Sequence, residues 1–143
     1  MYLQFNKNYL VLAHSLFLVE LAIAFIVKTG FIRYTFGDYL CVILLYAIIR
    51  GCTNLKIWVS ALVVLLIAYL VEFLQLTPFL TYFNLQDSFT AKLIFGSTFQ
   101  VTDLLAYTLG ILTVLAIESS ISKLQNKKIL DYGSYKNIDS KSI

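Results

Sequence analysis

The sequence is poor in the residues that interrupt apolar segments and keep a protein soluble. Its 143 residues contain one proline, and charged residues make up only 13% of the chain, about half the share that is usual in soluble domains. Hydrophobic residues reach 59%, and the mean hydropathy is +0.81. Because they fall in long runs and do not alternate with polar residues, a membrane β-barrel is disfavoured. The composition excludes a water-soluble globule and favours an all-α, polytopic membrane protein.

Cysteine and histidine are also scarce, which limits metal and redox chemistry. Cys41 lies in an apolar run and Cys52 in a short loop, without the spacing of a CxxC pair or a metal site, so we expect two free thiols, no metal site and no cofactor. His14 is the only histidine and is expected to face the helix bundle. The net charge of +3 comes from basic residues scattered over loops and one tail, which does not indicate a nucleic-acid partner.

Four apolar runs predict four transmembrane helices. A helix rises about 1.5 Å per residue, so about 20 residues cross the roughly 30 Å hydrocarbon core. The predicted spans are residues 9–27, 36–50, 57–76 and 98–117, within a transmembrane domain of residues 1–118. The first run can also be interpreted as a cleaved secretory signal, because Lys7 precedes it and the small-residue triplet Ala22-Ile23-Ala24 lies near its end.

Two segments have the pattern of a helix N-cap. Thr35-Phe36-Gly37-Asp38 has the spacing of a capping box, which would start the second helix at about residue 36 and place Asp38 in its first turn. Ser97, three residues before Gln100, is the candidate N-cap of the fourth helix. Pro78 is expected to stop the third helix, because proline cannot continue it.

The distribution of basic residues predicts the orientation. Eight of the eleven lysines and arginines fall on the side of the termini, and only Lys28, Arg33 and Lys92 lie in the other two loops. By the positive-inside rule the N- and C-termini are cytoplasmic, and we expect a multi-pass protein of a bacterial cytoplasmic membrane with membrane lipids as partners. Residues 119–143 form a polar, lysine-rich tail, expected to be mostly disordered or to lie on the cytoplasmic headgroups. The apolar loop 77–96 suits the outer interface, where it could act as a lid.

Four acidic residues lie inside the predicted spans, one on each helix. Counting from the span ends places all of them in the outer half of the bilayer; they are Glu20, Asp38, Glu72 and Asp103. An ionised side chain at mid-bilayer costs about 2.5–3.5 kcal/mol, so four unpaired carboxylates cannot face lipid. We expect them to face one another, a cation or water.

Helical spacing extends the acids into polar faces on two helices. Glu72 and Gln75 are three residues apart, and Asp103, Tyr107 and Gly110 follow at i, i+4 and i+7, so each set lies on one face. Gly110 would let a neighbouring backbone approach closely.

The candidate ligand-binding residues combine these acids with the nearest cations. Arg33 offers a bidentate fork and Lys92 a point charge for a phosphate or carboxylate group. The predicted set is Arg33, Asp38, Glu72, Gln75, Lys92, Asp103 and Tyr107. The alternative is an ionic lock, in which Arg33 and the acids only fix how the helices pack.

Three motifs carry a family resemblance. They are Arg33-x-x-x-Gly37-Asp38, Glu72-Phe73-x-Gln75 and Gly96-x-x-Phe99-x-x-x-Asp103-x-x-x-Tyr107-x-x-Gly110, and Tyr46 accompanies them. Over roughly residues 25–115 the chain resembles the small bacterial membrane proteins of domain of unknown function 2809 (DUF2809). More distantly it resembles the VanZ-like proteins, in which the position of Tyr107 is typically Asn. The VanZ-like resemblance implies a role in the cell envelope, linked to glycopeptide resistance, without a particular reaction.

Three functions are open from the sequence. The leading hypothesis is binding or handling of an anionic or glycan-bearing envelope lipid in a polar pocket of the outer leaflet. The alternative is a membrane-embedded enzyme acting on a lipid-linked phosphate or glycan, since Glu72 and Asp103 could divide general acid and base roles or hold a divalent cation. A further alternative is a small proton-coupled carrier using Glu20 and Glu72. Four helices are few for alternating access, so a carrier would require a homo-oligomer.

Overall fold

Four long helices make up the fold. The structure, a computed structural model, describes residues 5–27, 30, 32–77, 79–84, 87–88 and 99–139. The long helices are α1 Lys7–Ile26, α2 Gly37–Cys52, α3 Ile57–Leu74 and α5 Val101–Asp139, with a short α4 at Phe79–Tyr82. A π-helical turn, Ile32–Phe36, leads into α2. The all-α fold class predicted from the sequence is confirmed.

Three of the long helices have the length and apolarity of membrane spans. They are α1, α3 and the first part of α5, Val101–Leu124. Helix α2 has 16 residues and is about 24 Å long, shorter than the roughly 30 Å hydrocarbon core. The chain therefore has the helices of a membrane protein. That α2 also crosses, and that the termini are cytoplasmic, stay predictions.

Helix α2 lies at the centre of the packing. It contacts α1, α3 and α5; α3 also packs on α5, whereas α1 packs chiefly on α2. The interior is filled by alanine, branched aliphatic and tyrosine side chains, namely Val42, Tyr46, Ala61, Val64, Ala68, Tyr107, Ile111 and Val114. Small side chains let the helix backbones come close, which favours association in lipid, where close packing replaces the hydrophobic drive.

Two glycines mark the closest helix contacts. A Cβ built on Gly110 would lie 2.8 Å from the backbone oxygen of Tyr39, which confirms the close approach of α2 and α5 predicted at this position. A Cβ on Gly51 would lie 2.8 Å from Cδ2 of Leu10. At the same place the Asn6 N–H donates to the Gly51 carbonyl at 2.9 Å. The start of α1 is therefore held against the end of α2.

The predicted capping box at the start of α2 is wrong. The helix begins at Gly37, and Phe36 before it has helical dihedral angles (φ −75°, ψ −34°) and makes no side-chain cap hydrogen bond. Because the π-helical turn already coils the chain, Thr35 does not occupy the extended conformation that an N-cap needs. Asp38 lies in the first turn of α2, as expected. The other candidate cap, Ser97, lies outside the described residues.

Helix α5 does not end near residue 117. It continues to Asp139, so the tail is helical and not disordered as far as that residue, whereas the alternative that it lies on the cytoplasmic headgroups stays a prediction. The sequence offers no proline after Pro78 and only Gly133 to weaken the helix beyond Gly110. A helix that is already formed in the bundle extends without a second nucleation cost.

The expectation that His14 faces the bundle is also wrong. Helix α1 buries only Ala13 and Ile23, which is what packing on a single neighbour requires. His14 lies on the exposed side of the helix.

Candidate functional site

Three of the four predicted acids meet at one end of the bundle. Helix α2 begins, α3 ends and α5 begins at this end, which brings Asp38, Glu72 and Asp103 together. Glu72 is fully buried and Asp103 is only 8% exposed. We call these acids, together with Tyr107, the carboxylate cluster. Their convergence follows from the up-and-down course of three successive long helices.

Tyr107 connects the acids of the carboxylate cluster. Its hydroxyl donates to Oδ1 of Asp38 at 3.4 Å and lies within hydrogen-bonding range of Glu72. The carboxyl groups of Asp38 and Asp103 lie within hydrogen-bonding range of each other. A hydrogen bond between two carboxyl groups requires one of them to carry a proton. The arrangement is thus suited to holding a proton between two helices.

Glu72 joins the end of α3 to the start of α5. Its Oε1 accepts the backbone N–H of Gln100 at 2.8 Å, and its Oε2 accepts from Nε2 of Gln75 at 3.3 Å. The Gln100 N–H is one of the donors that a helix start leaves without an intrahelical partner. Oε1 of Gln75 is buried and has no hydrogen-bond partner among the described residues. Beside the cluster, the Gln75 oxygen therefore accepts no hydrogen bond from the described residues, whereas each carboxylate oxygen of Glu72 accepts one.

Arg33, one of the two predicted cations, is not at the carboxylate cluster. Arg33 lies in the π-helical turn, and its electrostatic neighbour is Glu20 on α1. Among the described residues, no lysine or arginine nitrogen lies within 4.0 Å of a carboxylate at this end. Glu20 stands apart from the other acids, with Oε1 buried and unpartnered in the described part of the chain. An ionic lock through Arg33 is therefore not formed there, and Lys92 lies outside the described residues.

The donor and acceptor inventory limits the chemistry of the site. Within the described ranges, no group of three or more His, Cys, Asp or Glu side chains is placed to hold a metal ion. The cluster offers carboxylate and amide oxygens, which accept hydrogen bonds, and one phenol. It is thus suited to a group that donates hydrogen bonds, such as a polyol or an ammonium.

A second polar cluster, which the sequence interpretation missed, lies towards the other end of the bundle. Glu118 Oε1 accepts hydrogen bonds from the hydroxyls of Tyr9 and, at 3.3 Å, Tyr46. The Arg50 guanidinium lies 5.2 Å from the centroid of the Tyr9 ring and donates to the carbonyl of Leu55. We call Tyr9, Tyr46, Arg50 and Glu118 the tyrosine cluster. Along α5 it lies about 22 Å from Asp103.

The tyrosine cluster was missed because its members lie near predicted span ends. The predicted second span ends at Arg50, and Glu118 directly follows the predicted fourth span. One signal was available: Glu118 follows Gly110 and Val114 at four-residue steps, which continues the buried face of α5. Extending that face past the expected boundary would have placed Glu118 inside the bundle.

A family comparison assigns the chain. The family model described as "Protein of unknown function (DUF2809)" matches residues 27–111, which is more than half of the chain. The chain belongs to this family. Every member of the carboxylate cluster lies inside the matched DUF2809 segment, whereas Tyr9 and Glu118 of the tyrosine cluster lie outside it. The predicted DUF2809 resemblance is confirmed, and the VanZ-like resemblance stays a prediction. No curated protein and no solved structure matches the chain.

Proposed function

We propose that the carboxylate cluster binds the hydroxyl-rich headgroup of a glycan-bearing envelope lipid. The observation that carries the proposal is the meeting of Asp38, Glu72 and Asp103 from three helices, with no cation among the described residues to neutralise them. Carboxylates accept hydrogen bonds from sugar hydroxyls, and these charge-assisted bonds are stronger than neutral ones. The unpartnered Oε1 of Gln75 adds a neutral acceptor beside them.

The lipid phosphate lies at the edge of this site and not in its centre. Like charges repel, so an anion has no favourable place between three carboxylates. Arg33 lies in the π-helical turn that precedes Asp38, and its planar fork suits a phosphate. Such turns are rare and occur often at functional sites. In this arrangement Arg33, with Lys92 as a second cation, contacts the phosphate while the acids contact the sugar.

The proposed location is a bacterial cytoplasmic membrane, with the carboxylate cluster in the outer leaflet. Three apolar helices that are long enough to span a bilayer support a membrane location. The orientation is supported by the lysines and arginines, most of which fall on the side of the termini. A site in the outer leaflet would be accessible to a lipid that carries an envelope glycan.

Lipid binding to the purified protein tests the proposal. Native mass spectrometry measures the retention of a lipid-linked disaccharide and of a diacylglycerol lipid that lacks the sugar. The double variant D38N/D103N is expected to bind the glycolipid about 10- to 150-fold more weakly, as loss of charge-assisted hydrogen bonds costs about 1.5–3 kcal/mol. E118Q, which neutralises a carboxylate of the tyrosine cluster, is the control and should bind as the native chain does. Equal glycolipid binding by all three proteins would contradict the proposal.

One observation favours a membrane-embedded enzyme as a second candidate. Asp38 and Asp103 lie within hydrogen-bonding range of each other, and a carboxyl pair that shares a proton contains both a general acid and a general base. The test is turnover of a lipid-linked sugar phosphate in vesicles. Loss of product with D38N and with D103N, while each variant still retains the lipid, would favour the enzyme. Absence of product from the native chain would leave binding as the function.

A further inference from the structure

Helix α1 carries a heptad pattern that the bundle does not use. Residues spaced alternately by three and four form one exposed stripe, namely Asn8, Val11, Ser15, Leu18, Ala22 and Phe25. We call these six residues the α1 seam. It lies on the side opposite to Ala13 and Ile23, the two residues that α1 buries. A strict seven-residue repeat of this kind is the pattern of a left-handed coiled coil.

The α1 seam alternates small and large side chains. Asn8, Ser15 and Ala22 are small and lie seven residues apart, and the larger Val11, Leu18 and Phe25 alternate with them. Between membrane helices, large apolar side chains gain little by leaving lipid, whereas small ones permit close backbone contact. The small residues of the seam therefore leave gaps and its large residues protrude at regular intervals. A second helix with the same seven-residue repeat can interlock with it.

A polar side chain beside the seam requires a partner. His14 is exposed on α1, about 10 Å from the start of the helix at Lys7, where the surrounding residues are apolar. No hydrogen bond joins His14 to any described residue. Polar side chains inside a span almost always face protein or water, because lipid cannot satisfy their hydrogen bonds. Something other than lipid therefore covers this position.

We propose that the α1 seam is a parallel homodimer interface, with a second copy of the chain as its occupant. Two copies inserted in the same orientation place their His14 side chains at the same depth. Each copy therefore supplies polar side chains at the depth where the other needs a hydrogen-bond partner. In knobs-into-holes packing, Ser15 enters a hole bordered by the partner's copy of the preceding residue. The Ser15 hydroxyl donates to the Val11 carbonyl at 3.0 Å, which leaves its oxygen free to accept an imidazole N–H.

The interface is arranged as two symmetric hydrogen bonds. Each His14 donates to Ser15 of the other copy, and the two-fold axis passes along the seam. The carboxylate and tyrosine clusters lie in the bundle interior, away from the seam, so both copies keep complete sites. The proposal is independent of what the carboxylate cluster binds.

Disulfide cross-linking in liposomes tests the heptad phase. Single cysteines are placed on α1 in a purified full-length chain that carries C41S and C52S. V11C and L18C, both in the seam, are expected to form cross-linked dimers. L12C and F17C are matched controls, because Leu12 and Phe17 are 46% and 49% exposed but lie outside the seam. Equal cross-linking at all four positions, or none in the seam, would overturn the proposal.

The role of His14 is tested by dimer association measured by fluorescence transfer between labelled copies in liposomes. H14L is expected to weaken association about threefold to thirtyfold, the range that corresponds to about 0.6–2 kcal/mol for an interhelical hydrogen bond. S15L should weaken it as well, because the hole is filled. F17A is the control and should leave association unchanged, because Phe17 neither belongs to the seam nor flanks it. Association of H14L equal to that of the native chain would overturn the role of His14 at the interface.

Discussion

The two polar clusters of this bundle differ in how their charges and hydrogen bonds are balanced. In the tyrosine cluster one carboxylate, Glu118, receives two phenol hydroxyls, and a guanidinium lies over one of the phenol rings. The carboxylate cluster contains three acids and one phenol, and no lysine or arginine among the described residues contacts it. A balanced cluster holds helices together. An unbalanced one is costly in a membrane, and that cost makes it the better candidate for function.

Three of the four buried side-chain atoms that lack a hydrogen-bond partner among the described residues follow the same division, and the fourth, Oγ of Ser60, belongs to neither cluster. At the carboxylate end, Oε1 of Glu20 and Oε1 of Gln75, both acceptors, are buried and have no partner in the described part of the chain. Nε of Arg50, a donor, is unpartnered in the tyrosine cluster. The carboxylate end thus lacks donors, which a ligand can supply, and the tyrosine cluster does not lack acceptors for its phenols. Substitutions at matched positions can break or sharpen this contrast.

The largest effect is expected at Gly110, which lies between the two clusters on α5. G110V places side-chain atoms against the Tyr39 backbone, where even a Cβ would lie 2.8 Å from the carbonyl oxygen. We expect a loss of about 3 kcal/mol in the free energy of unfolding, since a backbone cannot move aside as a side chain can. Unfolding in mixed micelles measures it. G51A meets only the side-chain end of Leu10 at its closest point, and should cost less than G110A.

The next largest effect is expected at Glu118. E118A leaves the hydroxyls of Tyr9 and Tyr46 without their acceptor, and we expect a loss of about 2–3 kcal/mol, the cost of buried groups left unpaired. E118Q keeps an acceptor oxygen and should recover most of that loss. The same unfolding assay compares them. If E118A and E118Q unfold alike, hydrogen bonding to the phenols is not what stabilises this cluster.

The opposite sign is expected at Asp103. D103N replaces a carboxyl that lies against Asp38 with an amide that can donate to it, and it leaves two acids in the cluster where there were three. We expect the free energy of unfolding to stay unchanged or to rise by about 1 kcal/mol. A clear loss of stability with D103N would mean that the carboxylate cluster, like the tyrosine cluster, serves mainly to hold the helices.

The smallest effect is expected from removing one hydroxyl on each side. Tyr107 donates to Asp38 at 3.4 Å and Tyr46 to Glu118 at 3.3 Å, and bonds of this length are weak. Y107F and Y46F should each cost about 0.5–1 kcal/mol of stability. Only Y107F should lower glycolipid retention in native mass spectrometry. A loss of retention with Y46F would show that the two clusters are not separate in function.

The parts of the site that the sequence predicted are those set by helical spacing and membrane depth. Asp38, Glu72 and Asp103 could be expected to meet because charged side chains inside a span avoid lipid. The close backbone contact at Gly110 could be expected because Gly110 lies on the same face of its helix as Asp103 and Tyr107. For the tyrosine cluster the only signal was the four-residue spacing of Gly110, Val114 and Glu118, because tyrosines at span ends are ordinary anchors. The position of Arg33 was missed because it depends on a π-helical turn, whose hydrogen bonding has no clear pattern in the sequence.

The side of a helix that faces its neighbours is harder to predict than its length. Helix α1 has apolar residues all around, so its sequence does not show that α2 is its main neighbour, and His14 was assigned to the wrong side. The length of α5 was underestimated for another reason. A change from apolar to polar residues marks where a membrane ends, but a helix ends only where its backbone hydrogen bonding is interrupted.

Helix α5 is continuous from Val101 to Asp139, so a change in its angle at one end also moves its other end. Asp103 and Asp139 are about 54 Å apart along one hydrogen-bonded rod. Any change in the tilt of this helix at the acids would therefore displace Asp139 sideways by more than it displaces Asp103.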